Sequence, residues 1–441
     1  MTTASSTPTE THAVQASSTW ATTKLRFLLE VNPATPADLR AQSDRLVPFV
    51  PMEALGEDGS LDTTRERPVR ELLTGYSYFA NGDVLMAKVT PCFENGKAAL
   101  VDTLPNGHGF GSTEVTTLRA SAGLYPGFLY YLVRSDHFRQ ASIASMTGAG
   151  GLKRVPDEHI RSFETPVPSE IEQRAIADFL NRETAKIDAL IDKQDQLIAT
   201  MREDRAATIT HAVTKGLTPG VADKPSGIQW MGDVPAHWEV ARLRHHATMK
   251  TGHTPSRQEP EFWENTHIPW FTLADVWQLR RGRQLYLGET AGKISSLGLA
   301  NSAAELLPAG TVILSRTASV GFSGIMPIPM ATSQDFWNWI CGTSLVPEFL
   351  AFVFRAMKPY FDSLMMGSTH QTIYQADAAA IQIPLPPVDE QTKIVEALKV
   401  KTSTVDSLID KSTEMIDVLR EYRSALITNA VTGKIDVREA V

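Results

Sequence analysis

Residues 166–214 read PVPSEIEQRAIADFLNRETAKIDALIDKQDQLIATMREDRAATITHAVT, and residues 384–432 repeat them as PLPPVDEQTKIVEALKVKTSTVDSLIDKSTEMIDVLREYRSALITNAVT. The two segments align without a gap, and about 22 of about 49 aligned positions are identical. A repeat of this strength means that one structural unit occurs twice in the chain.

Both copies are predicted to form long α-helices. Neither contains a glycine or a proline after its opening prolines, and Ser169 and Glu172 have the spacing of an N-terminal capping box. Gly216 and Gly433 stand where the two helices are expected to end. At a rise of 1.5 Å per residue, each helix is expected to span roughly 60 to 70 Å.

Apolar residues recur at spacings of three and four along both copies, which is the pattern of a coiled-coil seam. Each helix therefore needs a partner, and we predict that the partner is the other copy. Two alternatives stay open: each helix packs on its own neighbouring domain, or chains associate through intermolecular coiled coils. The predicted seam and subunit-docking residues are Leu180, Ile187, Leu190, Leu197, Leu398, Val405, Leu408, Met415 and Leu419.

A block of about 150 residues precedes each helix. Its prolines, glycines and alternating apolar runs are typical of mixed α/β structure. The predicted order is a disordered Ser/Thr-rich tail (1–19), a first block (20–165), a first helix (166–215), a linker (216–235), a second block (236–383) and a second helix (384–435).

The two blocks resemble each other faintly, so we predict that they share a fold. Near-constant helices predict a fixed partner that is met twice, whereas diverged blocks predict two different targets. The matching segments are Leu46–Val50 with His267–Phe271, Asn81–Met86 with Ala309–Leu314, and Tyr125–Leu129 with Val346–Leu350.

Composition restricts the class of protein. With 441 residues, 42% hydrophobic and 21% charged, the chain is long enough for two or three globular domains. It has no run of roughly 20 apolar residues that could span a membrane. Cys92 and Cys341 lack metal-ligand spacing, so a reducing, cytoplasmic setting is expected. The formal charge of −8 argues against a protein that coats DNA without regard to sequence.

The motifs of an enzyme are missing from the sequence. A methyltransferase would need a glycine-rich cofactor loop and an Asn/Asp-Pro-Pro-aromatic motif, and an ATPase would need a Walker-type loop. Asp83, Glu94 and Lys97 imitate the metal-binding carboxylates and lysine of a nuclease, but the spacing from Glu94 to Lys97 is one residue too long. We therefore predict a chain without catalytic residues and without a metal site.

The arrangement resembles the specificity subunits of Type I restriction-modification systems, over nearly the whole chain after the tail. The first block departs from the family pattern because it lacks a clear Pro-x-x-Trp opening. Besides the repeat, the stretches that carry the likeness are Pro384–Gln391, Val234–Val240, Lys250–Pro255 and Thr90–Lys97.

The resemblance implies two mixed α/β target-recognition domains that alternate with two helices packed as an antiparallel coiled coil, with pseudo-two-fold symmetry. It implies a bipartite, asymmetric site in double-stranded DNA and two methyltransferase subunits, which carry S-adenosylmethionine and methylate adenine at N6. Restriction and translocase subunits would join the complex, and this chain would hold no cofactor. Two other functions stay open: a protein-interaction scaffold with a coiled-coil stalk, and a specificity subunit of a methylase-only or phage-defence system.

Polar and basic residues in glycine-rich loops are the predicted DNA contacts, because side chains there can approach a groove. The loop Gly367–Thr372 resembles a DNA-facing loop of the family and presents His370 and Gln371. Its predicted counterpart, Gly148–Arg154, presents Lys153 and Arg154. The remaining predicted contacts are Arg280, Arg281, Arg283 and Arg316.

Overall fold

A computed structural model describes residues 20–149, 151–364 and 372–437. The predicted disordered tail, residues 1–19, lies outside the described residues. The chain divides into two compact units, of which the first combines residues up to 194 with those from 414 onward and the second holds residues 195–413. Each unit therefore contains one block together with a part of each long helix.

The first unit is built mainly from two four-stranded sheets. The sheet orders are β2-β9-β6-β7 and β4-β3-β8-β5, and β3 runs parallel to β8 while the other pairs in both sheets are antiparallel. Its strands are β1 (Ala21–Lys24), β2 (Leu29–Val31), β3 (Leu46–Val50), β4 (Glu66–Pro68), β5 (Ser77–Ala80), β6 (Val84–Ala87), β7 (Ala98–Leu100), β8 (His108–Gly111), β9 (Val115–Ala120), β10 (Thr147–Ala149), β11 (Leu152–Arg154) and β12 (Glu164–Val167). Its helices are α1 (Ala37–Ala41), α2 (Val69–Leu72), α3 (Pro126–Arg134), α4 (Asp136–Ser145), α5 (Asp157–Ser162) and the start of α6 (Glu170–Lys215).

The second unit has the same plan. Its sheets have the orders β16-β22-β19-β20 and β18-β17-β21, and β17 runs parallel to β21. Its strands are β13 (Asp223–Pro225), β14 (Asp233–Pro235), β15 (Glu239–Arg242), β16 (Ala247–Thr251), β17 (Ile268–Phe271), β18 (Gly292–Ile294), β19 (Val312–Ser315), β20 (Ser323–Ile325), β21 (Ala331–Thr332), β22 (Phe336–Cys341) and β23 (Gln382–Leu385). Its helices are α7 (Ser296–Ala300), α8 (Pro347–Ala356), α9 (Lys358–Leu364), α10 (Gln375–Ala380) and the part of α11 (Val388–Val431) up to residue 413.

The predicted likeness between the blocks is therefore a shared fold. The matching segments occupy equivalent strands, since Asn81–Met86 leads into β6 and Ala309–Leu314 leads into β19. Each strand is one of the two central strands of its four-stranded sheet, paired with β9 or β22. Gly82 and Gly310 both have φ of 84°, a left-handed conformation that glycine adopts without strain. The same tight turn thus starts the equivalent strand in both units.

The segment predicted as a linker contributes to the core of the second unit. Strands β13 and β14 pair within it, and Met231 and Val234 are buried in one cluster with Trp238. Glycine and proline in this stretch make the turns of a hairpin rather than a free connection.

The predicted cap and stop residues lie at the ends of the long helices, but the predicted bounds are too wide. Helix α6 begins at Glu170 rather than 166, and α11 spans Val388–Val431 rather than 384–435, because residues 166–167 and 384–385 belong to strands β12 and β23. At the start of α6, the Ser169 backbone N–H donates to Glu172 Oε2 (3.0 Å) and the Glu172 N–H donates to Ser169 Oγ (3.4 Å), which is the reciprocal pattern of a capping box. Gly216 and Gly433 follow the helix ends with φ of 74° and 71°. The left-handed residue that commonly stops a helix is therefore glycine in both copies.

The two long helices run antiparallel within each unit. In the first unit, Leu180 shares a core cluster with Val431, and Asp188 pairs with Arg423. In the second, Val213 shares a cluster with Leu398, and Arg205 pairs with Asp406. Rising numbers along α6 thus meet falling numbers along α11, and the predicted antiparallel coiled coil is confirmed.

The structure confirms only part of the predicted seam. Leu180, Ile187 and Leu398 are buried and Val405 and Leu419 are half-buried, as predicted. The other predicted seam residues are exposed, namely Leu190 (47%), Leu197 (46%), Leu408 (48%) and Met415 (49%).

The side chains that are buried or half-buried follow a different series of three and four residue steps, which we call the buried stripe. From Ile187 it continues to Ile191 instead of Leu190, and neighbouring apolar residues made both continuations possible. On α6 the buried stripe is Leu180, Thr184, Ile187, Ile191, Gln194, Ile198, Met201, Arg205, Ile209 and Ala212. On α11 it is Leu398, Thr402, Val405, Ile409, Ser412, Ile416, Leu419, Arg423, Ile427 and Ala430.

Candidate nucleic-acid interface

One glutamine in each unit joins the block to the long helix. In the first unit, Gln173 Oε1 accepts from the Tyr125 N–H (2.7 Å), and its Nε2 donates to the carbonyls of Gly123 and Pro168 (both 2.9 Å). Gln173 is fully buried, so these bonds satisfy groups that have no access to water. They place the start of α3 against the first turn of α6.

The repeat counterpart makes the same contacts in the second unit. Gln391 Oε1 accepts from the Val346 N–H (2.8 Å), and its Nε2 donates to the carbonyls of Ser344 and Pro386 (both 2.9 Å). Both blocks are therefore joined to their long helices by the same hydrogen bonds.

The predicted contacts Lys153 and Arg154 lie on an exposed hairpin. Strands β10 and β11 pair with Gly148 opposite Lys153, and a Cβ at Gly148 would lie 2.3 Å from the Leu152 carbonyl oxygen. Thr90 Oγ1 accepts from the Lys153 N–H (3.0 Å) and donates to the Gly151 carbonyl (2.8 Å). The hairpin is thus tied to the segment that follows β6.

The two basic side chains of this hairpin differ in their partners. Arg154 Nη2 lies 3.3 Å from Glu114 Oε1, and both side chains are partly exposed. No carboxylate of the described residues forms an ion pair with the Lys153 ammonium. Lys153 can therefore reach an external anion without breaking an ion pair.

Arg316 lies beside the predicted DNA-facing loop of the second unit. It follows β19, its N–H donates to the Asp335 carbonyl (2.9 Å), and its carbonyl accepts from the Ile373 N–H (2.9 Å). The guanidinium lies 4.3 Å from the ring centroid of Trp337, a cation–π contact that holds the charge in place. The bridge between Thr317 and Thr372 puts this arginine beside the end of the predicted DNA-facing loop. His370 and Gln371, the predicted contacts in that loop, lie outside the described residues.

The equivalent residue of the first unit is Lys88, which the sequence interpretation missed. It follows β6, its N–H donates to the Glu114 carbonyl (3.0 Å), and its carbonyl accepts from the Val155 N–H (2.9 Å). These are the backbone contacts that Arg316 makes in the second unit. The signal was present in the sequence, because the match of Asn81–Met86 with Ala309–Leu314 extends two residues further to a basic residue in each block.

The arginine cluster of the second unit divides into tethered and exposed members. Arg283 Nη1 lies 2.6 Å from both carboxylate oxygens of Asp410 on α11. Arg280 and Arg281 are exposed and no ion pair involves them among the described side chains. The structure therefore uses Arg283 to hold its loop against α11, and leaves Arg280 and Arg281 open to solvent.

One arginine in each unit supports the loop beside it: Arg134 is buried and Arg355 is half-buried. Arg134 donates to the carbonyls of Glu57 (2.5 Å) and Asp58 (3.1 Å), and Arg355 donates to the carbonyl of Gln284 (2.6 Å). Burial lowers the pKa of each guanidinium to about 10, so both keep their charge at neutral pH.

The nuclease-like residues of the first block do not form a metal site. Asp83 is buried, and its two carboxylate oxygens accept from Arg119 Nε (2.8 Å) and Nη2 (2.6 Å). Across residues 20–149, 151–364 and 372–437, no group of three or more His, Cys, Asp or Glu side chains could hold a metal ion. No helix in this part of the chain is long and apolar enough to cross a membrane.

An exposed apolar row recurs on both long helices. It contains the predicted seam residues that the structure leaves in solvent, Leu190 and Leu197 on α6 and their repeat counterparts Leu408 and Met415 on α11. Large apolar side chains at equivalent exposed positions are typical of a surface that another protein covers.

Part of the sequence matches a known protein family. Residues 235–415 match the family described as Type I restriction modification DNA specificity domain. The chain is 27% identical over 201 residues to the Type I restriction enzyme MjaIX specificity subunit of Methanocaldococcus jannaschii, an alignment that covers 45% of each protein. It is 31% identical over 192 residues to the EcoAI specificity subunit of Escherichia coli, which covers 41% of this chain and 32% of that relative.

A longer alignment joins the chain to the putative MjaX specificity subunit of Methanocaldococcus jannaschii, with 23% identity over 81% of this chain and 79% of the relative. The first two alignments span less than half of their relatives.

Two solved structures have a similar fold. A chain from a study of complex assembly and conformational transition of the type I R-M system superposes with a TM-score of 0.75 at 20% identity, over 94% of this chain and 98% of that one. The HsdS subunit from Thermoanaerobacter tengcongensis superposes with a TM-score of 0.55 at 19% identity, over 94% and 97%. At these identities the likeness establishes the fold.

Proposed function

We propose that this chain is a specificity subunit of a Type I restriction-modification system and that its two blocks read the two halves of a bipartite, asymmetric site in double-stranded DNA. Residues 235–415 match the specificity domain of that family, and the aligned relatives are specificity subunits. The two long helices hold two adenine-N6 methyltransferase subunits over that site. Restriction subunits join through the same complex.

The observation that carries this proposal is that one fold occurs twice and is joined to the long helix by the same hydrogen bonds, while the residues of the predicted DNA-facing loops differ. Gln173 and Gln391 make the same three hydrogen bonds. The loop residues differ, with Lys153 and Arg154 in the first block and His370 and Gln371 at the predicted counterpart. Identical attachment to the helices together with different loop residues suits a protein that reads two different half-sites.

The proposed DNA-facing residues have two kinds of role. Lysine and arginine that reach phosphates position the protein, whereas hydrogen bonds to base edges select the sequence. Lys88, Lys153 and Arg316 suit the first role, because none of them takes part in an ion pair among the described residues. We assign His370 and Gln371 to base reading, and Arg154, Arg280 and Arg281 to either role.

The proposed contact with the methyltransferases rests on the exposed apolar row. Leu190 and Leu408 are identical and equivalent in the repeat, and so exposed that the fold does not require them to be leucine. A partner that is present twice would cover both. In this division of labour the methyltransferases bind S-adenosylmethionine, and this chain supplies neither a cofactor nor a catalytic group.

The test is to express the chain with the methyltransferase encoded beside it and to map N6-methyladenine across the host genome by single-molecule sequencing. We expect one asymmetric motif with two specified parts and a gap of constant length. Cells that express the methyltransferase alone are the control. A stable complex without methylation, together with no sequence-dependent DNA affinity, would favour the protein-interaction scaffold instead.

A further inference from the structure

Two arginine–aspartate pairs join the long helices, one in each unit. In the second unit, Arg205 Nε lies 3.0 Å from Asp406 Oδ1. In the first unit, Arg423 Nε lies 2.9 Å from Asp188 Oδ1. Arg205 and Arg423 are repeat counterparts, as are Asp188 and Asp406. One contact is therefore made twice, with the two helices exchanging roles.

The arginines of these pairs are largely withdrawn from water. The side chains of Arg205 and Arg423 are 11% and 15% exposed, and their aspartates are 15% and 41% exposed. Ordinary surface pairs of the same helices differ, since Arg420 and Asp417 are 63% and 65% exposed. A partly buried charge that loses its partner is much more costly than an exposed one.

The apolar part of the buried stripe does not define how far one helix is shifted along the other. Most positions of the stripe are apolar and recur every seven residues, so a shift by one heptad would again bring mainly apolar residues opposite each other. Arg205 is the one charged residue of the buried stripe on α6, and Arg423 is the one on α11. A shift of seven residues moves each guanidinium roughly 10 Å from its aspartate.

We propose that Asp188–Arg423 and Arg205–Asp406 are positioning pairs that fix the axial register of the two helices. Charged or polar groups at seam positions have this role in coiled coils, where they select one register at some cost in stability. The consequence for DNA rests on the proposed function: a single register gives a single gap between the half-sites.

The first pair offers the cleaner test, because Arg205 also donates to the carbonyl of Gly282 (2.7 Å). Cys92 and Cys341 are first replaced by serine and alanine. Asp178→Cys and Glu414→Cys then place spin labels at exposed positions of the first unit, one on each long helix. Pulsed electron paramagnetic resonance measures the distance between the labels in the full chain without DNA.

We expect Arg423→Glu to broaden the distance distribution or to shift it by roughly 10 Å, and we expect Asp188→Arg to restore the original distance when added to it. Arg420→Glu is the matched control, because it makes the same change three residues earlier on the exposed face and should leave the distance unchanged. Should Arg423→Glu not fold, Arg423→Gln with the same labels takes its place. One unchanged, narrow distance in the folded variant overturns the proposal.

Methylation mapping of the same variants separates this proposal from the proposed function. A shifted distance together with an altered or variable gap supports both. A shifted distance with an unchanged gap supports the register assignment and overturns the idea that the helices set the gap.

Discussion

Gln391 accepts a 2.8 Å hydrogen bond from the backbone N–H of Val346, and this contact ties the first turn of α11 to the start of α8. Removing the amide would leave the Val346 N–H and the carbonyls of Ser344 and Pro386 without this partner in a buried site. We expect Gln391→Ala to lower the free energy of unfolding by about 3 kcal/mol, measured by urea denaturation. Gln196→Ala, at an exposed position of α6, is the control. An equal loss of stability in the two variants would contradict a structural role for the hydrogen bonds of Gln391.

The two blocks should act on different half-sites. We expect Lys88→Ala with Lys153→Ala to weaken DNA binding and to lower the slope of log K against log salt by about 1 for each lysine that contacts phosphate. Arg316→Ala should weaken binding at the other half-site. Binding is measured with probes in which one half-site at a time is scrambled. Lys401→Ala, on the exposed surface of α11, should leave affinity unchanged. If the lysine variant and Arg316→Ala both lost affinity at the same half-site, the assignment of one half-site to each block would be refuted.

Substitutions at two adjacent residues of α11 should have different effects, one on stability and the other on binding of the methyltransferase. Ile409 is 5% exposed and Leu408 is 48% exposed. We expect Ile409→Ala to lower the free energy of unfolding by about 2 to 4 kcal/mol. Leu408→Asp should leave the melting temperature nearly unchanged and weaken binding of the methyltransferase, measured by calorimetry. Unchanged methyltransferase affinity for Leu408→Asp combined with Leu190→Asp would exclude the exposed row as the docking surface.

Alkaline pH should weaken one contact of the second block. Tyr286 donates a 2.6 Å hydrogen bond to Glu348 Oε1, and burial followed by this bond raises the pKa of Tyr286 to about 12. For Glu348, burial raises the pKa, but the bond from Tyr286, its backbone bond and Lys399 outweigh burial and leave the pKa lowered.

A pKa raised in the folded state stabilises the fold below the ordinary tyrosine value near 10, and this contribution disappears as the pH rises toward 12. The lowered pKa of Glu348 has the opposite sign, with stability lost as the pH falls through the acid range. We expect the wild-type chain to lose more stability than Tyr286→Phe between pH 10 and 12, measured by urea unfolding at each pH. Parallel curves for the two proteins would show that the phenol contributes no pH dependence.

Helix length should set the gap in the DNA site. Inserting one heptad into both α6 and α11 lengthens each helix by roughly 10 Å, which corresponds to about 3 base pairs of B-form DNA. We expect a longer gap with unchanged half-sites in methylation maps. An insertion of one heptad into a single helix is the control, because it disturbs the pairing of the two helices. An unchanged gap after the double insertion would refute the idea that helix length sets the distance between the half-sites.

Local signals in the sequence predicted those features that depend on neighbours along the chain. The capping box at Ser169 and the glycine stops at Gly216 and Gly433 involve residues within one helical turn, and the structure confirms them. The repeated fold of the blocks was also predictable, because Asn81–Met86 and Ala309–Leu314 keep one turn and strand pattern. The DNA contacts at Lys153, Arg154, Arg280, Arg281, Arg316, His370 and Gln371 stay predictions.

By itself, the sequence determined that the chain has two copies of one helix and two versions of one fold, since repetition and capping are written in consecutive residues. Only the tertiary structure decided which apolar stripe is buried, because Leu190 and Ile191 are adjacent and each continues a heptad pattern from Ile187. It also decided that Arg283 forms an ion pair with Asp410 and that Arg205 forms one with Asp406. Those side chains come together through the packing of segments far apart in the chain, and helical periodicity along one segment carries no information about its distant partner.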